Sequence, residues 1–168
     1  MSDETVSDET GRELHAWIVV ASTRASRGQY LDRSGPIISD WLGAQGFTVD
    51  EHVVVADGPP VGEAIRAAIY AEAHLVITTG GTGLTPTDRT PEQTRALLDV
   101  EIPGLADAIR TAGLPAVPTA VLSRATAGVA GTTLIVNLPG STGGVRDGLG
   151  VLDGVVHHAI DQIRGGDH

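Results

Sequence analysis

The chain has 168 residues, a formal net charge of −10, no cysteine and no lysine. A chain of this length can bury a core without disulfide or metal staples. The absence of cysteine excludes thiolate nucleophiles, zinc–cysteine sites and iron–sulfur clusters. The absence of lysine excludes a Walker A loop and Schiff-base chemistry, and the negative charge argues against a nucleic-acid partner.

The two ends of the chain are predicted to lie outside its folded part. Residues 1–13 are acidic and polar, without a signal-peptide pattern, so we expect a disordered tail. Residues 165–168 are expected to be frayed. Residues 14–164 contain no linker or repeat, which predicts a single α/β domain. No apolar run reaches the length of a membrane span, so we expect a cytoplasmic protein without a membrane partner.

Apolar runs rich in β-branched residues alternate with helical spacing along the chain. The runs lie at 16–21, 47–56, 74–79 and 134–138. Because these runs are continuous rather than alternating, they are typical of strands that are covered on both faces. Alternating strands and helices predict a right-handed, mostly parallel sheet with helices on both faces.

Apolar residues recur at helical spacing between these runs. Helices are predicted at 37–42, 61–69, 102–109 and 145–163. A further helix is predicted to have Thr90 as its N-cap and Pro91 as its first residue. The last helix contains glycines at 144, 148, 150 and 154, which predict a close approach to the sheet or to a partner subunit. The stretch 119–130 is interpreted as an edge strand or a hairpin arm before Gly131.

Ligands of open α/β sheets bind at the carboxyl ends of the strands. Four loops are expected to meet there, at 22–28, 57–60, 80–91 and 139–142. In the third loop, Gly80, Gly81 and Gly83 allow main-chain N–H groups to approach an anion. The helix that follows contributes its positive dipole. The alternative is a glycine-rich turn without a ligand.

Charged side chains in these loops predict a phosphate site. Asp57 directly follows the second strand, which is interpreted as buried, and Asp88 lies five positions after the glycines. If both lie at the ends of adjacent strands beside bound phosphates, they predict a shared Mg²⁺ ion. The alternative for each is a turn residue or a cap. Arg24, Arg27 and Arg89 are candidates to offset phosphate charge, or else surface residues.

Four ordered motifs give the chain a family resemblance. They are TTGGTGLTPTDRTPEQT at 78–94, EIPG at 101–104, LSRATAG at 122–128 and NLPGS at 137–141. Over nearly the whole folded part, the chain resembles the molybdopterin adenylyltransferases and their close relatives in molybdenum cofactor synthesis. The first loop, STRASRG, is similar to the family's SDRASxG element, but Thr23 stands where aspartate is usual.

The resemblance implies a three-layer α/β/α fold with a mostly parallel sheet and one antiparallel strand. It also implies a homotrimer. Asp57 and Asp88 match the family's essential aspartates, and we expect them to hold Mg²⁺. The residues expected to bind ligand are Ser22, Thr79, Gly80, Gly81, Thr82, Gly83, Thr87, Glu101, Ser123, Arg124, Pro139, Gly140 and Ser141.

The implied reaction joins the two substrates molybdopterin and ATP. Adenylyl transfer to the terminal phosphate of molybdopterin would give adenylated molybdopterin and pyrophosphate. A phosphate monoester has a second pKa of about 6, so this nucleophile needs no general base, and the aspartates are better interpreted as metal ligands or orienters. The alternatives are a non-catalytic molybdopterin-binding paralogue and an assembly module. Handover of the product to a molybdenum-inserting enzyme stays open.

Overall fold

The computed structural model describes Ser7, Gly11 and residues 13–166. Residues 1–6, 8–10, 12 and 167–168 lie outside the described residues. These residues include most of the predicted tails at 1–13 and 165–168, so the domain boundaries stay predictions. Within the described part, no helix combines the length and the apolar character that crossing a membrane requires.

Six strands form one sheet in the order β2-β1-β3-β6-β5-β4. The strands are β1 (Leu14–Ala21), β2 (Phe47–Val55), β3 (Leu75–Thr79), β4 (Val100–Glu101), β5 (Ala127–Ala130) and β6 (Thr133–Leu138). Neighbours among β2, β1, β3 and β6 are parallel, whereas β5 is antiparallel to both β6 and β4. The predicted mostly parallel sheet with one antiparallel strand is therefore confirmed.

Helices cover both faces of the sheet. They are α1 (Thr23–Ser26), α2 (Ser34–Ala44), α3 (Pro59–Tyr70), α4 (Thr90–Arg95), α5 (Pro103–Ala112), α6 (Thr142–Asp153) and α7 (Val156–Ile163), with a 3₁₀ helix at Pro118–Leu122. Because side chains alternate along a strand, Ile18 packs in a core with α2, α5, α6 and α7, and Val19 packs in a second core with α3. The predicted α/β/α layering is confirmed.

The strand predictions need two corrections. β2 is an edge strand in which only Phe47 is buried, so its continuous apolar sequence does not reflect coverage on both faces. Since β1 lies between β2 and β3, Asp57 and Asp88 do not follow adjacent strands. The sequence pattern also missed β4, whose two residues are too few to show a periodicity.

The predicted last helix is two helices. α6 ends at Asp153, Gly154 is its C-cap, and α7 begins at Val156. The predicted close approach is found at Gly148, where a Cβ would lie 2.6 Å from Cδ2 of Leu138 on β6. It is absent at Gly154, where a Cβ would meet only a carbonyl oxygen at 4.0 Å. Gly154 therefore ends a helix instead of packing against the sheet.

Two local predictions differ from the structure by small shifts. Arg89 is the N-cap of α4, and Thr90 is its first residue, because the Thr90 side chain is fully buried and does not cap the helix. In the stretch 119–130, only the last four residues form a strand: they are β5, the hairpin arm that turns at Gly131. Residues 119–122 belong to the 3₁₀ helix, and residues 123–126 connect it to β5.

Candidate functional site

The loops after β3 and β6 lie against each other at the carboxyl end of the sheet. The amide of Gly80 donates to the carbonyl of Leu138 at 3.1 Å, and Oγ1 of Thr79 donates to the carbonyl of Pro139 at 2.7 Å. A Cβ on Gly140 would lie 3.4 Å from Cα of Gly80. Glycine on both sides therefore allows the two main chains to touch.

The glycine turn, Gly80–Gly83, directs its carbonyl groups into the protein. The carbonyls of Gly81 and Thr82 accept from the amides of Thr90 and Arg124 at 3.1 and 2.8 Å, and Nε of Arg124 donates to the carbonyl of Gly83 at 2.9 Å. In a trans peptide the N–H points opposite to the C=O.

The amide N–H groups of Thr82, Gly83 and Leu84 therefore point away from these partners. Within the described part of the chain, none of the three donates a hydrogen bond. All three residues line a cavity of about 390 Å³. Successive N–H groups that point to one side of a turn form a concavity that binds anions. The glycine turn thus has the form of an anion cradle.

Asp57 borders the glycine turn at Gly81. Its Oδ2 accepts a hydrogen bond from Oγ1 of Thr23 at 3.2 Å, and the amide of Asp57 donates to that Oγ1 of Thr23 at 3.1 Å. The other carboxylate oxygen, Oδ1, lies 3.0 Å from where a Cβ of Gly81 would be. Gly81 has a φ of 68°, so both its conformation and the close carboxylate require glycine.

Asp88 borders the same turn at Gly83. A Cβ on Gly83 would lie 2.9 Å from Oδ2 of Asp88. That oxygen accepts from the amide of Thr85 at 3.1 Å and from its Oγ1 at 2.5 Å. The amide of Asp88 donates back to the Thr85 carbonyl at 2.9 Å. A tight local turn therefore holds this carboxylate against the glycines. Asp57 and Asp88 thus border the same turn, although the strands β2 and β3 that precede them are not adjacent.

Arg124 lies behind the glycine turn and binds protein atoms with its guanidinium. Besides its bond to Gly83, its Nη2 donates to the carbonyl of Asp88 at 2.8 Å, and its Nη1 pairs with Glu92. The hydrogen bond from Arg124 holds the pKa of the Glu92 carboxyl below its ordinary value of 4.5. The sequence assigned Arg124 to ligand binding. No local pattern indicates its contacts, because they span up to 41 positions.

Several predicted ligand-binding hydroxyls are engaged in local structure. Oγ of Ser22 caps α1 by accepting from Ala25, and Oγ of Ser141 caps α6 by accepting from Gly144. Oγ of Ser123 accepts from the amide of Ala125 at 3.3 Å. Each of these oxygens retains lone pairs and a proton for a ligand.

Three other predicted positions differ in their exposure. Thr82 is buried in the glycine turn, whereas Thr87 is exposed in the loop beyond it. Glu101 is exposed on the edge strand β4, where it pairs with Arg95 at 3.0 Å. Glu101 is thus engaged with an arginine of α4 rather than with the turn.

A buried asparagine that the sequence did not single out ties α4 to the sheet. Nδ2 of Asn137 donates to Oγ1 of Thr78 at 2.9 Å and to Oγ1 of Thr94 at 3.0 Å. Thr94 in turn donates to the carbonyl of Thr90 at 2.8 Å. Oγ1 of Thr90 has no hydrogen-bond partner within the described part of the chain, and a Cβ on Gly81 would overlap with it. The only sequence feature that could have pointed to Asn137 is that it is the first residue of the NLPGS motif.

Two cavities meet at the turn after β6. The first, of about 390 Å³, has apolar walls from α5 and the 3₁₀ helix. The second, of about 280 Å³, is lined by residues of the loop after β1, including Tyr30, Asp32 and Arg33. Gly140 and Ser141 line both cavities. The site therefore offers two compartments on either side of one turn, each reaching the glycine turn.

The oxygen donors at the glycine turn suit a hard divalent cation held jointly with phosphates. Among the described residues, no group of three or more histidine, cysteine, aspartate or glutamate side chains could hold a metal ion. Mg²⁺ is usually bound by one or two carboxylates together with substrate phosphates and water. Asp57 and Asp88, one at each end of the turn, fit this mode of binding.

These features define a class: a three-layer α/β protein with a glycine turn of anion-cradle form at the carboxyl ends of its parallel strands. A family profile described as "Probable molybdopterin binding domain" matches residues 10–158. The chain therefore belongs to the molybdopterin-binding domain family.

Relatives with known names and structures agree with this family. The molybdopterin adenylyltransferase of Helicobacter pylori strain J99 is 36% identical over 90% of this chain and 89% of its own length. The molybdenum cofactor biosynthesis bifunctional protein of Synechococcus elongatus is 38% identical over 92% of this chain, but the chain spans only 49% of that protein. The molybdopterin biosynthesis Mog protein from Mycobacterium ulcerans has 64% identity and a TM-score of 0.87, over 90% of this chain and 97% of that one.

Proposed function

We propose that this protein transfers the adenylyl group of ATP to the terminal phosphate of molybdopterin in molybdenum cofactor biosynthesis. The observation that carries the proposal is the glycine turn: the residues of its three unpaired N–H groups line a cavity, and the carboxylates of Asp57 and Asp88 lie against its glycines. Relatives that share 36–37% identity with the chain are named molybdopterin adenylyltransferases.

In this reaction, an oxygen of the molybdopterin phosphate attacks the α-phosphorus of ATP. The new P–O bond forms as the bond between the α- and β-phosphates breaks, and pyrophosphate leaves with the electron pair. The nucleophile is already largely dianionic at neutral pH, so no side chain needs to accept a proton. The obstacle is the repulsion between two anions, and catalysis consists of positioning and electrostatic stabilisation.

The residues of the chain divide this work. The amides of Thr82, Gly83 and Leu84 bind one phosphate, and the two cavities hold the two substrates so that their phosphates meet over the glycine turn. Asp57 and Asp88 are the residues that would hold Mg²⁺ beside those phosphates. When bound, the cation lowers the repulsion between the substrates and neutralises charge on the leaving pyrophosphate.

The other predicted ligand residues border this arrangement. Ser22, Thr79, Gly80, Pro139, Gly140 and Ser141 line one or both cavities, and so do Thr82, Gly83 and Ser123. We propose that these residues contact the substrates. Neither cavity is lined by Gly81, Thr87, Glu101 or Arg124, nor by Asp57 or Asp88. We propose that Arg124 supports the turn from behind.

We also propose that the protein assembles as a homotrimer and passes its product to a molybdenum-inserting partner. Exposed apolar side chains on and near the 3₁₀ helix, such as Leu114, Val117 and Val121, support an interface between copies of the chain. The bifunctional relative, of which this chain spans about half, supports a coupling to a second activity. The cytoplasmic location stays a prediction from the sequence.

The proposed function is tested by incubating the purified protein with molybdopterin, ATP and Mg²⁺. We expect pyrophosphate and adenylated molybdopterin in equal amounts, and no turnover when molybdopterin is omitted or a chelator is added. Tight binding of molybdopterin without release of pyrophosphate would show that the protein is a non-catalytic binding paralogue and not an enzyme. Absence of molybdopterin binding in calorimetry would exclude both of these functions and favour the alternative of an assembly module.

A further inference from the structure

Thr23 makes two hydrogen bonds to a residue that lies 34 positions away in the chain. Its Oγ1 accepts from the amide of Asp57 at 3.1 Å and donates to Oδ2 of the same residue at 3.2 Å. One hydroxyl thus holds both the main chain and the side chain of Asp57. This pair of contacts fixes the direction of the carboxylate relative to its backbone.

The loop that carries Thr23 is itself anchored. The amide of Ser22 donates to the carbonyl of Val55, the last residue of β2, at 2.9 Å. The carbonyl of Thr23 accepts from Oγ of Ser26 at 2.7 Å and from the amide of Arg27 at 3.2 Å. Because Thr23 begins α1 and its loop is tied to the end of β2, its hydroxyl has a defined position beside Asp57.

The consequence concerns the oxygen of Asp57 that Thr23 does not hold. With Oδ2 held, Oδ1 faces Gly81, 3.0 Å from where a Cβ would lie. An aspartate at position 23, as in the family's SDRASxG element, would place a second negative charge there and, when ionised, could accept from the Asp57 amide but not donate to its carboxylate. Threonine supplies both contacts.

We propose that Thr23 is a positioning residue for adenylyl transfer: by holding Oδ2 of Asp57, its hydroxyl orients the carboxylate so that Oδ1 faces the glycine turn. Both hydrogen bonds of the Thr23 hydroxyl are to Asp57, and Thr23 lines neither cavity, so it acts through Asp57. The inference rests on the proposed function, because Asp57 matters to turnover only if the reaction occurs at this turn.

The test compares Thr23→Val with Thr23→Ser. Valine has nearly the same shape as threonine but removes both hydrogen bonds, whereas serine retains the hydroxyl. We expect Thr23→Val to lower kcat about tenfold, since one orienting hydrogen bond contributes on the order of a tenfold change in rate. The KM values for molybdopterin and ATP should change less than about twofold, and Thr23→Ser should retain most of the wild-type kcat.

A second readout does not depend on turnover. In Thr23→Val, hydrogen exchange at the Asp57 amide should accelerate, because its acceptor is lost, while exchange in β1 and β3 stays slow. Ser26→Ala provides the matched control, since it removes a hydrogen bond to the carbonyl of Thr23 without touching Asp57. We expect it to keep wild-type kcat and wild-type exchange at Asp57.

The outcomes separate the two proposals. A wild-type protein without turnover overturns the proposed function, and with it the positioning role of Thr23 in adenylyl transfer. A wild-type protein with turnover and a Thr23→Val variant with unchanged kcat overturns the positioning role alone. The same holds if Thr23→Ser loses as much kcat as Thr23→Val, or if both variants change KM instead of kcat.

Discussion

The two carboxylates beside the glycine turn are held by different means. Asp88 is fixed by Thr85, three positions before it in the same loop. Asp57 is fixed by Thr23, which arrives from the loop after β1 because β1 lies beside β2 in the sheet. One carboxylate therefore depends on a contiguous loop, and the other depends on the correct order of the strands.

The largest expected effect tests whether the two carboxylates are equivalent in function. Asp57→Asn and Asp88→Asn retain the shape of the side chain but remove its charge. If both hold the same cation, each should lower kcat by roughly a hundredfold to a thousandfold, as expected for the loss of one electrostatic group. The measurement is pyrophosphate release at saturating Mg²⁺.

The same two variants also locate the cation. Both should bind molybdopterin in calorimetry as the wild-type protein does, because the turn amides are unchanged. If one variant retains wild-type turnover, the aspartate that it replaces is not a metal ligand, and the two carboxylates are not equivalent in function.

The next effect separates the two ends of the glycine turn. Gly81→Ala places a Cβ against Thr90 and beside Asp57 in a left-handed conformation, whereas Gly83→Ala meets only the end of the Asp88 side chain. We expect Gly81→Ala to lower the free energy of unfolding by about 2 to 3 kcal/mol, and Gly83→Ala by less than about 1 kcal/mol.

Urea unfolding followed by circular dichroism measures both glycine variants. Equal losses in the two variants would show that the Asp57 end of the turn is no more tightly built than the Asp88 end. Turnover should follow the same order, because a displaced Asp57 carboxylate no longer faces the turn.

The same difference between local and long-range contacts decides how much the sequence could predict. The motif at 78–94 contains both the glycines and Asp88 with its Thr85 partner, so that half of the candidate site could be predicted from contiguous sequence. Asp57 was a candidate because it follows a strand and matches an aspartate of the family that the chain resembles, but no local pattern indicated its partner. Its partner Thr23 was noted as a departure from a motif, and the contact between them depends on strand order, which a linear pattern does not encode.

The fold shows the same division. The runs at 16–21, 74–79 and 134–138 predicted the buried central strands, since continuous apolar sequence reflects coverage on both faces. The run at 47–56 looks the same but forms an edge strand, because burial depends on the neighbouring strands and not on local composition. The break at Gly154 was missed because apolar spacing continues across it.

A third effect tests the support behind the Asp88 end of the turn. Arg124→Met keeps much of the side-chain volume but leaves the carbonyls of Gly83 and Asp88 without their donors. We expect the free energy of unfolding to fall by about 2 kcal/mol. Amide exchange should accelerate in the loop from Gly83 to Asp88 and not at Asp57.

Arg124→Lys is the control, because it keeps the charge but cannot make the three guanidinium contacts at once. It should recover only part of the lost stability. Full recovery would show that charge alone supports the turn, and a change in exchange at Asp57 would show that the two ends of the turn are coupled.

The smallest effect concerns the acid stability of the Asp88 end. Because Arg124 lowers the pKa of Glu92, the ionised carboxylate is favoured in the folded protein. This contribution is fully present above the ordinary pKa of 4.5 and is lost as the pH falls through the lowered value. Glu92→Gln removes it, so the free energies of unfolding of the two proteins should differ near neutral pH and converge as the pH falls through the lowered pKa of Glu92.

Urea unfolding between pH 7 and pH 3 measures this convergence. Half-exposed ion pairs contribute little, so the difference at neutral pH should be smaller than for Arg124→Met, which also removes the two carbonyl contacts. Thr23→Val, at the opposite end of the turn, should run parallel to the wild-type protein over this range, since it leaves the Arg124–Glu92 pair intact. A difference between wild type and Glu92→Gln that grows as the pH falls would contradict the lowered pKa and place the stabilising role of Arg124 in its carbonyl contacts alone.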